Sequence, residues 1–162
     1  MESTGPTGGM DWLAEASPDP AGCRRAWRRP GVTLMMLPAG RRWDVLSVQG
    51  RLGRPALAVL ARTGRRPGPV LADFGDESVG FLVPAGTAAH LLGTGLGVAG
   101  EGTWVVLPHP ARPGSSMRWL VAPDGSGLLN DPVALELALH DAAADLACAA
   151  CPPAGTGADR PR

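Results

Sequence analysis

Glycine and proline interrupt this chain unusually often. The 23 glycines and 17 prolines make up about a quarter of the 162 residues, which approaches the proportion found in disordered chains. Hydrophobic residues nevertheless account for 44% of the sequence, and they occur in periodic blocks between the interruptions. The sequence therefore predicts one domain of short elements over residues 11–150, flanked by disordered segments at residues 1–10 and 151–162.

Two helices have clear sequence signals. Residues 132–150 follow Asp131, a good N-cap, and carry an apolar stripe with helical spacing. The stripe consists of Leu135, Leu139, Ala142 and Leu146. Residues 20–29 follow Asp19, another good N-cap, and end before a proline. These two segments are predicted to be the main helices of the domain.

The other apolar blocks predict short helices and strands. Helices are predicted at residues 54–62 and 87–92. Strands are predicted at residues 32–37, 43–48, 69–72, 79–83, 103–107 and 117–121. This mixture predicts an α+β fold, in which a mainly antiparallel sheet of about four to six strands is covered by helices. Four tryptophans in these elements are expected to be largely buried: Trp27, Trp43, Trp104 and Trp119.

The charges are unevenly distributed along the chain. All 15 basic residues are arginine, as is common in proteins from GC-rich genomes, and the formal net charge is zero. Residues 1–70 contain 11 arginines and 5 acids, whereas residues 71–162 contain 4 arginines and 10 acids. Either the two halves neutralise each other within one fold, or the first half forms a basic face that contacts phosphates.

The cysteines and the N-terminus predict a cytoplasmic protein. Three cysteines are an odd number, which is typical of a reducing compartment rather than a disulfide framework. No apolar segment follows Met1, and no apolar run is long enough to span a membrane. Cys148 and Cys151 form a C-x-x-C pair, but no second pair or spaced histidines accompany it, so inert thiols are predicted.

Two further motifs have weak support. Residues 95–100 match G-x-G-x-x-G, but the predicted order is helix, loop and strand, the reverse of a dinucleotide-binding site. Asp73, Asp76 and Glu77 form the one tight acidic cluster, which is interpreted either as a Mg²⁺ ligand set or as a solvated loop. No serine, histidine and acid constellation is recognisable.

Five stretches of the sequence, in order, resemble one known family. They are residues 11–40, 43–49, 69–84, 95–108 and 108–120. They are similar to the bifunctional DNA primase/polymerase N-terminal domain, a branch of the archaeo-eukaryotic primase superfamily. In that family a Trp-containing helix precedes a strand and a Pro-x-Gly turn, and a Gly-rich loop leads into a strand ending in proline. The resemblance implies a nucleotidyltransferase fold.

The resemblance also implies where the catalytic groups would lie. The family's Asp-x-Asp pair falls at Ser47 and Gln49, and its histidine falls near Ser78 or Val79. The family's later Asp and Arg fall at Gly97 and Ala99. Because phosphoryl transfer requires Mg²⁺ ions held by carboxylates, these substitutions predict a domain that has lost catalysis. No metal or cofactor is then expected.

The predicted role is binding of nucleic acid, a nucleotide or a replication protein. Single-stranded DNA is the expected nucleic acid, contacted by an arginine-rich surface. That surface consists of Arg24, Arg25, Arg28, Arg29, Arg41 and Arg42. One alternative is an active nucleotidyltransferase that binds Mg²⁺ through Asp44, Asp73, Asp76 or Glu77. Another is a protein-binding scaffold with an exposed apolar patch.

Overall fold

A computed structural model describes residues 6–73, 75, 77–91, 96–112, 114 and 116–151 of the chain. The helices are α1 (Pro6–Ala14), α2 (Pro20–Arg28), α3 (Gly50–Arg62), α4 (Thr87–His90) and α5 (Pro132–Ala150). The strands are β1 (Leu34–Pro38), β2 (Trp43–Gln49), β3 (Val70–Asp73), β4 (Ser78–Pro84), β5 (Gly97–Ala99), β6 (Trp104–Pro108) and β7 (Met117–Val121). No helix among these residues is both long enough and apolar enough to cross a membrane.

The described strands form two antiparallel sheets. Five strands make a central sheet in the order β5-β2-β4-β3-β7, and β1 pairs with β6 in a separate two-stranded ribbon. The predicted α+β class is therefore confirmed. The predicted mainly antiparallel sheet of four to six strands is also confirmed, with five strands, whereas the strands at 34–38 and 104–108 lie outside it and pair with each other. The strand β5 was not predicted.

The central sheet is buried on both faces, and alternation along each strand divides the core in two. On one face, side chains such as Trp43, Val45 and Leu82 pack with α1, α2 and the ribbon. On the other face, side chains such as Leu46 and Phe81 pack with α3 and α5. The sheet is thus the middle layer of three.

The two helices with the clearest sequence signals form as predicted. The Asp19 carboxylate accepts the N–H of Gly22 at the start of α2, and the Asp131 carboxylate accepts the N–H groups of Val133 and Ala134 in α5. These caps satisfy backbone donors that have no partner within the helix. The helix α5 has the predicted bounds, 132–150.

Two other helices differ from the predictions. The segment 1–10 was expected to be disordered, but residues 6–10 belong to α1, which buries Met10, Leu13 and Ala14. Residues 1–5 and 152–162 lie outside the described part of the chain. The helix α3 begins at Gly50 instead of residue 54. There the N–H of Gly50 donates to the carbonyl of Glu77 at 2.8 Å, a tertiary contact with no local sequence signal.

Burial of the tryptophans also departs partly from expectation. Trp27 and Trp43 are fully buried, whereas Trp119 is half-buried and donates its indole N–H to the carbonyl of Pro108 at 2.8 Å. Trp104 is 53% exposed, so the prediction that it is buried is wrong. It lies on β6 of the two-stranded ribbon, whose outer face has no covering layer among the described residues.

Candidate functional site

The strand register brings the four positions implied by the family resemblance onto one face of the central sheet. Ser47 and Gln49 are two residues apart on β2, so their side chains point to the same face. Ser47 is paired with Gly97 on β5, and Gln49 is paired with Ser78 on β4. Directly paired residues also share a face. The positions are therefore close in space although they span 51 residues of sequence.

These four positions line one open cleft at the end of the sheet, with a volume of about 810 Å³. The end of β2, the segment 77–78 and the start of β5 form one side. The last turns of α5, which packs on the opposite face of the sheet, form the other, so the cleft extends around the end of the sheet. The α5 side is made of small and apolar residues: Ala143, Leu146, Ala147 and Ala150. We refer to this feature as the β2–α5 cleft.

The polar chemistry of the β2–α5 cleft is dominated by neutral groups. Ser47 and Ser78 contribute hydroxyls, and Gln49 contributes an amide whose oxygen accepts the Nε–H of Arg51 at 2.8 Å. Glu77 supplies a carboxylate and is exposed. Arg51 was not singled out from the sequence. Its position two residues after Gln49, beyond a strand that ends at the site, is the signal that could have identified it.

The structure also separates the two positions considered for the family histidine. Ser78 lines the β2–α5 cleft. Val79 is fully buried on the opposite face, where a Cβ atom on Gly53 of α3 would lie 2.6 Å from the Val79 Cβ. Ala99, the position of the family arginine, is paired with Val45 and therefore shares the sheet face of Ser47.

The alternative metal-binding acids do not gather in this cleft. Asp44 is buried on the other face of β2, and its Oδ2 accepts the N–H of Ala88 in α4 at 2.8 Å. The Oδ1 of Asp73 accepts the N–H of Ser78 at 3.0 Å, which closes the turn between β3 and β4. Asp76 lies outside the described residues. Of the three acids that the structure describes, Glu77 alone lines the cleft.

The residues at the cleft do not fit the two-metal centre that the family resemblance implies. Such a centre needs several anionic oxygens around each metal ion. Within the described part of the chain, the cleft supplies one carboxylate, and no group of three His, Cys, Asp or Glu side chains comes together anywhere. At Gly97 a Cβ atom would lie 3.2 Å from the Ser47 Cβ, so the backbone leaves little room for a metal-binding side chain there.

The six arginines predicted to contact phosphates have different environments. Arg24 binds the Asp11 carboxylate at 3.0 Å, and Arg42 binds the Glu15 carboxylate at 2.8 Å. The remaining four are exposed: Arg25, Arg28, Arg29 and Arg41. Asp11 belongs to α1 and Glu15 directly follows it, so two of the six predicted arginines form ion pairs within the fold.

The cysteines are free thiols among the described residues. Cys148 and Cys151 are exposed at the end of α5, and Cys23 is buried on α2. Burial raises the pKa of the Cys23 thiol above its usual value, which keeps this thiol protonated and unreactive at neutral pH.

Comparisons with known proteins identify the family. The family model for the bifunctional DNA primase/polymerase N-terminal domain matches residues 2–137, a range that contains the whole central sheet. No curated protein and no solved structure gave a significant match. The match covers most of the chain, including all five stretches on which the sequence resemblance rested. This chain therefore belongs to the bifunctional DNA primase/polymerase N-terminal family.

Proposed function

We propose that this chain is a primase/polymerase-like domain that has lost nucleotide transfer and that binds single-stranded nucleic acid. The proposal rests on the residues that line the β2–α5 cleft. Ser47, Gln49 and Ser78 stand together with Gly97 on one sheet face. Neutral oxygens at these positions are weak ligands for Mg²⁺, and catalysis of phosphoryl transfer depends on metal-bound carboxylates.

The cleft retains features suited to binding a phosphate backbone. Loss of carboxylates removes repulsion between the cleft and phosphates, and Arg51 adds a guanidinium that is already oriented by the Gln49 amide. The exposed arginines on α2 and in the turn before β2 provide further cationic contacts. Nucleic acids bind such surfaces through release of counterions, without any chemistry on the nucleic acid.

The loss of catalysis is tested by template-directed incorporation of labelled nucleotides with Mg²⁺ or Mn²⁺. The purified protein is compared with a catalytically active member of the family and with the variants Glu77→Gln, Asp44→Ala and Asp73→Ala. We expect no incorporation above background for this chain. Incorporation by the wild-type protein that any of these substitutions abolishes would show that a new metal site replaces the old one.

Binding is tested by fluorescence anisotropy with a labelled single-stranded oligonucleotide. Three phosphate contacts imply that affinity falls on the order of 20-fold between 50 and 200 mM salt. The triple variant Arg25→Gln/Arg29→Gln/Arg41→Gln should weaken binding and flatten this salt dependence. The triple variant Arg62→Gln/Arg65→Gln/Arg66→Gln removes the same charge from exposed positions around the end of α3 and is the matched control.

One observation favours the protein-binding alternative. Two large apolar side chains one turn apart on α5, Val133 and Leu137, are well exposed. Exposed apolar side chains that cluster often mark contact surfaces between proteins. If the oligonucleotide does not bind even at low salt, or if both triple variants bind it equally, the nucleic-acid proposal fails and this alternative is preferred.

A further inference from the structure

A second pocket, of about 240 Å³, lies between α1, α2 and the loop that follows β6, and it shares no lining residue with the β2–α5 cleft. Its polar lining consists of Thr7, Trp27, Arg28, His109 and Arg112. No acidic residue lines it within the described part of the chain. We refer to it as the α1–α2 pocket.

A buried donor beside this pocket has no partner among the described residues. Trp27 is fully buried, and its indole N–H makes no hydrogen bond to any described residue. A buried N–H without an acceptor destabilises a protein, and native proteins rarely leave one unpaired. The Trp27 ring lines the pocket, so its indole resonance can report on a molecule that binds there.

The imidazole ring of His109 also lines this pocket. Its ring is 5.9 Å from the Trp27 ring in an edge-to-face arrangement, and its Nδ1 accepts the N–H of Ala111 at 3.0 Å. This bond places the proton of the neutral ring on Nε2. The ring therefore presents no free lone pair to repel an anion.

Two guanidinium groups give the pocket its charge. The Nη1 of Arg112 donates to the carbonyl of Trp27 at 3.1 Å and to that of Arg29 at 2.8 Å, which holds the side chain over the end of α2. A guanidinium has five N–H donors, more than these two carbonyls use. Arg28 adds a second, exposed guanidinium, and Thr7 adds the first turn of α1, where unpaired backbone N–H groups attract anions.

We propose that the α1–α2 pocket binds a phosphate group. Guanidinium groups form paired, charge-assisted hydrogen bonds with phosphate oxygens, and Arg28 and Arg112 both line this pocket. The volume is below the ~300–1,000 Å³ usual for sites that enclose a drug-sized ligand, so the pocket suits one phosphate rather than a whole nucleotide. The phosphate comes either from a free phosphate compound or from a nucleic-acid backbone.

The test follows the indole N–H resonances of ¹⁵N-labelled protein during titration with inorganic phosphate at constant ionic strength. We expect the Trp27 resonance to shift and to saturate. Trp43 is the internal control, because its indole N–H is also buried without a partner but does not line this pocket. Arg28→Gln should weaken phosphate binding roughly tenfold, which corresponds to ~1.4 kcal/mol. The control variant Arg62→Gln, which removes an exposed arginine of α3 outside the pocket, should leave it unchanged.

An oligonucleotide without terminal phosphates distinguishes the two sources. If it shifts the Trp27 resonance and competes with phosphate, the pocket takes a backbone phosphate. If only inorganic phosphate shifts the resonance, the pocket takes a free phosphate compound. A Trp27 resonance that does not move, that moves together with Trp43, or that responds equally in Arg28→Gln contradicts the inference. The phosphate titration gives its result whether or not nucleotide transfer has been lost, so it tests this pocket separately from the β2–α5 cleft.

Discussion

Across the β2–β5 pair, a Cβ atom built on Gly97 would lie 3.2 Å from the Cβ of Ser47 and 3.2 Å from the Ser47 carbonyl oxygen. Directly paired residues in antiparallel strands usually have Cβ atoms about 4.5–5.5 Å apart. Position 97 therefore accepts a side chain only if the strands shift. The substitution Gly97→Ala should lower the free energy of unfolding by about 1–3 kcal/mol, as overpacking does elsewhere, measured by urea denaturation.

Gly114→Ala is the control for that substitution. A Cβ atom there would lie 3.4 Å from the carbonyl oxygen of Met117, an ordinary contact, so the change should stay within about 0.5 kcal/mol. If Gly97→Ala proves as stable as the wild-type protein, the close approach of the two strands is not as tight as described.

Replacing a buried and an exposed tryptophan with alanine should give clearly different losses of stability. Trp43 is fully buried in the middle layer, and Trp43→Ala should cost roughly 3–5 kcal/mol. Trp104 is 53% exposed, and Trp104→Ala should cost much less. Chemical denaturation of both variants provides the comparison. Equal losses of stability would mean that the outer face of the ribbon is covered by something that the described residues do not include.

Asp44 should matter for folding rather than for catalysis. Its Oδ2 accepts the N–H of Ala88 within a buried environment, and removing the acceptor of a buried N–H costs about 1–3 kcal/mol. Asp44→Ala should therefore lower stability by about that amount, whereas Asp44→Asn retains an acceptor and should lower it less. Thermal unfolding at several protein concentrations would measure both. A fully stable Asp44→Ala protein would leave this buried carboxylate without a structural role.

Acidification should destabilise the fold through His109. Burial, followed by the charge of Arg112, lowers the pKa of His109 below its usual value, while its hydrogen bond with the backbone of Trp27 acts in the opposite direction. The unfolded chain then binds a proton more readily than the folded chain, so stability falls as pH drops below about 6.5 and continues to fall until the folded protein is protonated.

Unfolding free energies between pH 5 and pH 8 would reveal that dependence. In His109→Gln this part of the pH dependence should disappear, whereas the exposed His140→Gln should behave as the wild-type protein does. Saturating phosphate should reduce the loss of stability at low pH, because an anion in the α1–α2 pocket favours the charged imidazole. An unchanged pH profile in His109→Gln would contradict this explanation.

Features that depend on neighbouring residues were predictable from the sequence. The caps Asp19 and Asp131 form hydrogen bonds within three residues, so the starts of α2 and α5 follow from local order. Alternating or continuous apolar runs identified six of the seven described strands to within about two residues. The order of short motifs also sufficed for the family, because it does not depend on knowing which residues meet in space.

Which residues meet was decided only by tertiary structure. Residues 6–10 contain two glycines and have little intrinsic tendency to form a helix, yet α1 forms because Met10, Leu13 and Ala14 are buried against the sheet.

The convergence of Ser47, Ser78 and Gly97 depends on strand register, and the α1–α2 pocket joins Trp27 to Arg112, 85 residues away. Trp104 and Trp43 have the same local signal, but only Trp43 lies on a strand covered on both faces. Local hydrogen bonds and hydrophobic periodicity depend on a few consecutive residues. Burial and the convergence of side chains depend on contacts between residues far apart in sequence, and these contacts form only when all the layers pack together.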